Sequence, residues 1–256
     1  MSRKIIDAHI HPFIDPENNI AFFGAPKTGE EYMNELKSLH FDQVCGSVVV
    51  RKKMESMDEV RNINRIALKI KDMYPGFYEP GIHVYDADPE GSCRELEEMR
   101  KVHDVRWIGE LVHYMMGTGL YNSSGMFQIY ETARDLKMPV NIHCDDLDVV
   151  ADILKNFPDL NVILAHPGDC GNALKRLEFI SQYKNAYMDI SGTGLFRWNM
   201  LRYAVDLCGS EKLLFGTDFP ICSPGMNLGG VLSEHLTEEE FDNVLGLNFL
   251  RLTGRI

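Results

Sequence analysis

What this 256-residue sequence lacks narrows its function first. No apolar run approaches the ~20 residues that cross a bilayer, and the first residues have no apolar signal-peptide core, so a cytoplasmic location is expected. No Cys-x-x-Cys pair occurs among Cys45, Cys93, Cys144, Cys170, Cys208 and Cys222. They are expected to be reduced packing groups, although Cys144, beside His143, could also stand near a site. Basic residues are in deficit: 26 Lys and Arg against 38 Asp and Glu give a net charge of -12. The only basic cluster, "RKK" at 51–53, is too small to draw a polyanion against that field. Nucleic acid and membrane are therefore not expected as partners; a small molecule is, and a homo-oligomer stays open. No low-complexity segment, charge block or composition shift marks a linker, so residues 1–256 read as one domain.

What is present is a recurring unit of short apolar run, turn and amphipathic segment. The runs are "KIIDAHIH", "QVCGSVVV", "YEPGIHVY", "VRWIGEL", "PVNIH", "NVILAH", "AYMDIS" and "KLLFGTD". Helical spacing fills the intervals, at about 30–39, 57–74, 93–101, 127–137, 148–157, 173–182, 197–208 and 237–250. In the second of these, Val60, Ile63, Ile66, Ala67 and Ile70 form one stripe. Eight strand–helix pairs predict a (β/α)8 TIM barrel, with some distortion allowed. An open doubly wound sheet would need a glycine-rich turn after its first strand, and "HIHP" stands there instead. Three long connections, "PFIDPENNIAFFGAPKTG", "VHYMMGTGLYNSSG" and "FPICSPGMNLGG", all follow strands and so fall on the carboxyl face, as pocket walls or as plain surface insertions.

The strand ends are more informative. Asp7, His9 and His11 alternate, so they share one face of the first strand. Later strands end in Glu110, His143, His166 and Asp218. Each alone is an ordinary structural residue at a barrel rim. A closed barrel brings these ends around one axis, and clustered carboxylates and imidazoles are costly there without a counter-charge. A divalent cation supplies that charge and uses these ligand types.

The motifs "DAHIHP", "NIHC", "LAHPG" and "LLFGTDFP", with the ending "LGLNFLRLTG", resemble the amidohydrolase superfamily. The branch they are most similar to is the amidohydrolase-2 group, which contains the carboxymuconate-semialdehyde-decarboxylase-like enzymes. The resemblance spans essentially the whole chain. It implies that His9 and His11 hold a metal with His143 and Asp218, and that His166 binds a second metal or contacts the substrate. Many members carry a carboxylated lysine at the end of strand four; here Glu110 stands there, as in the deoxyribonuclease branch in which a glutamate bridges. One or two ions, most readily zinc, fit that pattern.

On this reading a bound zinc lowers the pKa of its water from about 15.7 to about 7. Asp218 takes a proton from that water and passes it to the leaving group, while His166 polarises the substrate oxygen. Asp7 could orient an imidazole from behind or serve only the barrel. Arg51 could pair with a substrate carboxylate, though its surroundings read slightly better as a solvated loop; His83 reads equally as a substrate contact and as a packed residue. His113 serves the loop, "SGTGLFRW" could cradle an anion or form a plain turn, and Tyr114, Met115, Met116 and Tyr121 line the fourth loop. The leading expectation is hydrolysis of a small lactone, amide or ester. The alternative is non-oxidative decarboxylation of an aromatic or unsaturated acid. A nuclease is disfavoured by charge, and a non-catalytic metal-binding scaffold is the bland remainder.

Overall fold

The computed structural model describes residues 3–117 and 119–256; Met1, Ser2 and Thr118, the last within the sequence "VHYMMGTGLYNSSG", lie outside them. Eight strands run in chain order: β1 Ile6–Ile10, β2 Gln43–Ser47, β3 Tyr78–Ile82, β4 Trp107–Leu111, β5 Val140–Ile142, β6 Val162–Leu164, β7 Ala186–Asp189 and β8 Leu213–Leu214. Every neighbouring pair is parallel, in the order β1 to β8. The ring closes between β1 and the chain that follows β8: Ala8 N–H donates to the Phe215 carbonyl at 2.9 Å, and His11 N–H to Phe219 at 2.8 Å. This is the expected (β/α)8 barrel. Strands buried on both faces suit it, and β1, β3, β4, β5 and β6 are buried at every position.

The helices are α1 Gly29–Ser38, α2 Met57–Met73, α3 Pro89–Lys101, α4 His113–Met116, α5 Ser124–Asp135, α6 Leu147–Asn156, α7 Cys170–Gln182, α8 Met200–Cys208, α9 Pro224–Leu232, α10 Glu238–Asp242 and α11 Asn248–Leu252. Most begin where a side chain accepts an otherwise unpaired amide. Thr28, Ser56, Asp88, Ser123, Asp146, Asp169 and Ser223 each do so. The Asp88 cap, with Pro89 in the first turn, starts α3 four residues ahead of the expected 93.

Two of the long connections are more ordered than their composition suggests. The one after β4 contains the single turn α4, and "SPGMNLGGVL" folds into α9, started by Ser223 and Pro224 despite three glycines. The last expected helix, 237–250, is instead α10, a π-turn over Asn243–Leu247, and α11. The close approach explains Gly246: a Cβ there would lie 2.9 Å from the Lys4 carbonyl oxygen. In α2 the buried stripe is Met57, Val60, Asn64, Ala67 and Ile70, with Ile63 and Ile66 only partly covered. Asn64 takes the inner place because it bonds both the N–H and the carbonyl of His83. Among the described residues no helix is long and apolar enough to cross a membrane.

Candidate active site

His9 and Glu110 lie on β1 and β4, His11 and His143 one residue past β1 and β5, His166 and Asp218 just beyond β6 and β8. His166 and Asp218 have φ of 64° and 62°, left-handed conformations that cost a non-glycine residue about 1–3 kcal/mol. Hydrogen bonds hold both: Asp218 N–H donates to the His9 carbonyl at 2.8 Å, and His166 N–H to Asp189 Oδ1 at 3.3 Å.

These turns bring the six side chains together in two halves that share one carboxylate. On one side His9 Nε2 and His11 Nε2 are 3.2 Å apart. Glu110 Oε2 lies 3.4 Å and 3.3 Å from them, and Asp218 Oδ1 3.9 Å and 3.4 Å. On the other side Glu110 Oε1 lies 2.8 Å from His143 Nδ1 and 3.4 Å from His166 Nε2.

The hydrogen bonds behind the rings fix which nitrogen carries the proton. His11 Nδ1 faces the Ser47 carbonyl at 3.1 Å and must donate to it. His9 Nδ1 faces Asp189 Oδ2 at 3.0 Å, and Asn141 Nδ2 donates to the same oxygen at 2.8 Å. Ser191 spends its only proton on Asp189 Oδ1, so it accepts from His166 Nδ1 at 2.9 Å. In its neutral form each of the three rings therefore points a bare Nε2 inward. Two lone pairs facing each other at 3.2 Å repel unless something positive lies between them. Bonds of about 2.0–2.1 Å to a tetrahedral cation put neighbouring donors about 3.3 Å apart, close to most spacings in the first half. The donor set thus fits a divalent cation there, and a mixed imidazole–carboxylate set suits several first-row ions, zinc among them. The split of Glu110 leaves room for one ion or two.

The buried carboxylates draw positive charge to the same place, whether as protons on the rings or as a bound cation. Burial disfavours charge on His9, yet Asp189 and Glu110 hold its pKa well above the usual value; burial opposes charge on His11 too, but Asp218 and Glu110 pull it up to about 9. Burial would raise the Glu110 pKa, and the surrounding imidazoles, His9 foremost, hold it well below the ordinary carboxylate range.

Other expected residues take different partners. Asp7 does not orient an imidazole: its carboxylate accepts from the Thr217 hydroxyl at 2.6 Å and from the N–H groups of Thr217 and His9. Arg51 is exposed, donates to the Ile20 carbonyl at 2.7 Å and sits over the Phe22 ring, so its contacts belong to the first loop. His83 is buried, donates from Nε2 to the Val48 carbonyl at 2.9 Å, and is pushed by burial down to about 4, so it stays neutral and packed. His113 packs edge-on against Tyr121, while Tyr114 does reach the cluster, its ring edge-on to His143 at 5.1 Å. Cys144 is buried and its thiol pKa is raised by burial.

Asp189 is the residue that sequence reasoning missed. It ends β7 after an apolar run, the same signal that marks Glu110 on β4. Arg176 of α7 was also unforeseen. It is buried, and donates to the carbonyls of Cys144, Ala165 and His166, tying the ends of β5 and β6 together. Asp189→Asn is expected to weaken divalent-metal affinity about 10–100-fold, the usual effect of removing a ligand's outer partner. Asp7→Asn should change it only a few-fold, and competitive metal titration of both variants checks the contrast.

Beside the cluster lies a cavity of about 390 Å³, lined by Gly192, Leu195, Phe196, Cys222, Met226 and Asn227 among others. Gly192 joins the two: a Cβ on it would lie 2.8 Å from His166 Nδ1 and 3.5 Å from Asp218 Oδ2, and its φ is 69°. The "SGTGLFRW" loop thus forms a wall of this chamber.

A family model described as amidohydrolase matches residues 6–255. No curated protein matches the sequence. Among solved structures, 2,6-dihydroxybenzoate decarboxylase from Rhizobium superposes with a TM-score of 0.75 at 14% identity, covering 99% of each chain. 5-Carboxyvanillate decarboxylase from Sphingomonas paucimobilis gives 0.76 at 14% identity, again over 99% of each. A dihydroxybenzoic acid decarboxylase from Polaromonas, with bound manganese and the inhibitor 2-nitroresorcinol, gives 0.73 at 18% identity over 99% of this chain and 97% of that one.

Proposed function

The chain belongs to the amidohydrolase family, and on that premise we propose that it is a metal-dependent decarboxylase of a small aromatic or unsaturated carboxylic acid. The observation that carries this reading is the position of Asp218. Its Oδ1 belongs to the imidazole cluster, while its Oδ2 would lie 3.5 Å from a Cβ built on Gly192, a residue that also lines the chamber. A flat, largely apolar acid in that chamber would meet the cluster at its carboxylate end and Asp218 at its reacting carbon.

His9, His11 and Asp218 would hold one divalent ion with Glu110 Oε2 beside them, while His143 and His166 face the other oxygen of Glu110. Bound there, such an ion supplies positive charge that binds and orients a substrate carboxylate. Asp218 Oδ2 would deliver a proton to the carbon that bears the carboxylate. The bond from that carbon to the carboxylate then breaks, its electron pair restores the unsaturation, carbon dioxide leaves, and water reprotonates Asp218. His166 is held by Ser191 with its Nε2 inward, placing it against the substrate's oxygen atoms. Leu195, Phe196 and Met226 give the chamber an apolar wall against which the ring or chain of such an acid would pack.

The fold shared over the whole chain with decarboxylases of hydroxylated benzoates supports this over hydrolysis, which the sequence alone favours. Hydrolysis of a small lactone, amide or ester stands as the second reading for one reason. The two oxygens of Glu110 face separate donor pairs, as a bridge between two ions would. Turnover of a panel of aromatic acids and lactones in ¹⁸O-labelled water separates them. Release of carbon dioxide with no label in the organic product is expected; labelled product without carbon dioxide would reverse the assignment.

A further inference from the structure

A cavity of about 530 Å³ lies at the opposite end of the barrel from the cluster. Its walls include Arg106, next before β4, residues 137–139 ahead of β5, residues 159–161 ahead of β6, the ends of α3 and α5, and the C-terminal turn at 251–254. These are the amino ends of the strands, where the catalytic chemistry of such barrels does not occur.

Its charge runs against that of the chain. The lining carries Arg100, Arg106, Arg134, Lys137 and Arg251 but only one acid, Asp159, in a protein of net charge -12. Nearby acids offset part of this. Asp104 is shared by Arg100 at 2.8 Å and Arg106 at 2.9 Å, and Asp135 pairs with Arg134 at 2.9 Å. Among the described residues no carboxylate comes within 4.0 Å of Lys137 or Arg251. Two of the heads are also fixed in advance. Arg251 Nη1 donates to Asn243 at 2.8 Å and Asn248 at 2.9 Å, and Arg106 Nη1 to the carbonyls of Thr253 and Gly254. Partners of this kind hold a guanidinium in place without neutralising it, which lowers the ordering cost of binding an anion.

Helix ends commonly carry cations for the sake of the dipole, and Arg100 and Arg134 fit that description. Lys137 follows the α5 cap and Arg251 stands in the last turn of α11, so the dipole accounts for them too, but Arg106, just ahead of β4, sits at no helix end, and all five cations face one cavity. We propose that this amino-face cavity is a binding site for a small molecule carrying two or more phosphate groups. Arginine forks match phosphate oxygens two at a time, and the volume exceeds what a single inorganic phosphate fills. A walled cavity rather than an open basic stripe favours a small molecule over a nucleic acid.

Calorimetric titration of the metal-loaded enzyme with inorganic pyrophosphate tests this at physiological salt, where surface fields are screened beyond about 8 Å. One saturable equivalent is expected. Lys137→Glu should weaken it at least about tenfold through charge reversal while leaving turnover unchanged, and Arg134→Gln, a milder change, should weaken it less. Pyrophosphate could also meet the metal cluster, so Glu110→Gln serves as the control and is expected to bind it as the parent does. Absence of saturable binding, binding indifferent to Lys137→Glu, or binding lost in Glu110→Gln would each overturn the site. So would duplex DNA binding more tightly than pyrophosphate at the same salt.

Discussion

Asp218→Asn is expected to lower kcat by about 10²–10⁴-fold, the range that a positioned proton donor contributes. The substitution keeps the shape of the side chain and leaves His9, His11 and Glu110 within 3.2–3.4 Å of one another to hold the ion. It removes a carboxylate that reaches both the cluster and the neighbourhood of Gly192 and can carry and release a proton, leaving His166 in place beside it. Bound metal should therefore survive at saturating ion concentration while product formation fails. Carbon dioxide release and metal content, measured on the same preparation, check this. Turnover within threefold of the parent would mean that Asp218 only ligates.

Glu110→Gln should have the largest effect on metal. Both carboxylate oxygens are in use, one facing His9 and His11 and the other His143 and His166. The amide replaces one of them with a donor group, which cannot ligate, and deletes the negative charge that a buried cation needs. Loss of an outer partner alone costs about 10–100-fold in affinity, so loss of this central ligand is expected to cost more than about 100-fold and to abolish turnover. The fold should persist, because the barrel is closed by backbone bonds between β1 and the chain after β8 and by the apolar layers around it. Metal titration with circular dichroism on one sample separates loss of the site from loss of the fold.

The site was legible because a parallel strand announces its own end. An apolar run that stops at His11, Glu110, His143, His166 or Asp218 places that residue at the barrel mouth whatever its distance along the chain. Asp189 ends β7 by the same rule and was passed over in favour of Asp7, which shares a strand face with His9. Alternation along β1 says which side Asp7 faces, but not that Thr217, 210 residues away in sequence, would occupy it. Arg51 and His83 illustrate the same limit: position past a strand end does not reveal that a carbonyl of Ile20 or Val48 takes the side chain. Helix α9 was hidden by its glycines, and Arg176 by lying on a helix face that pattern assigns to apolar groups. Local periodicity carries the framework; the partners of buried polar groups come from parts of the chain that meet only in the fold.

The most direct measurement is equilibrium dialysis of the purified, chelator-stripped protein against manganese or zinc, with bound ion counted by elemental analysis. One or two equivalents per chain are expected to bind tightly, as bare imidazole nitrogens held 3.2 Å apart require. Protein that turns over substrate fully with no divalent ion bound would contradict the account at its centre.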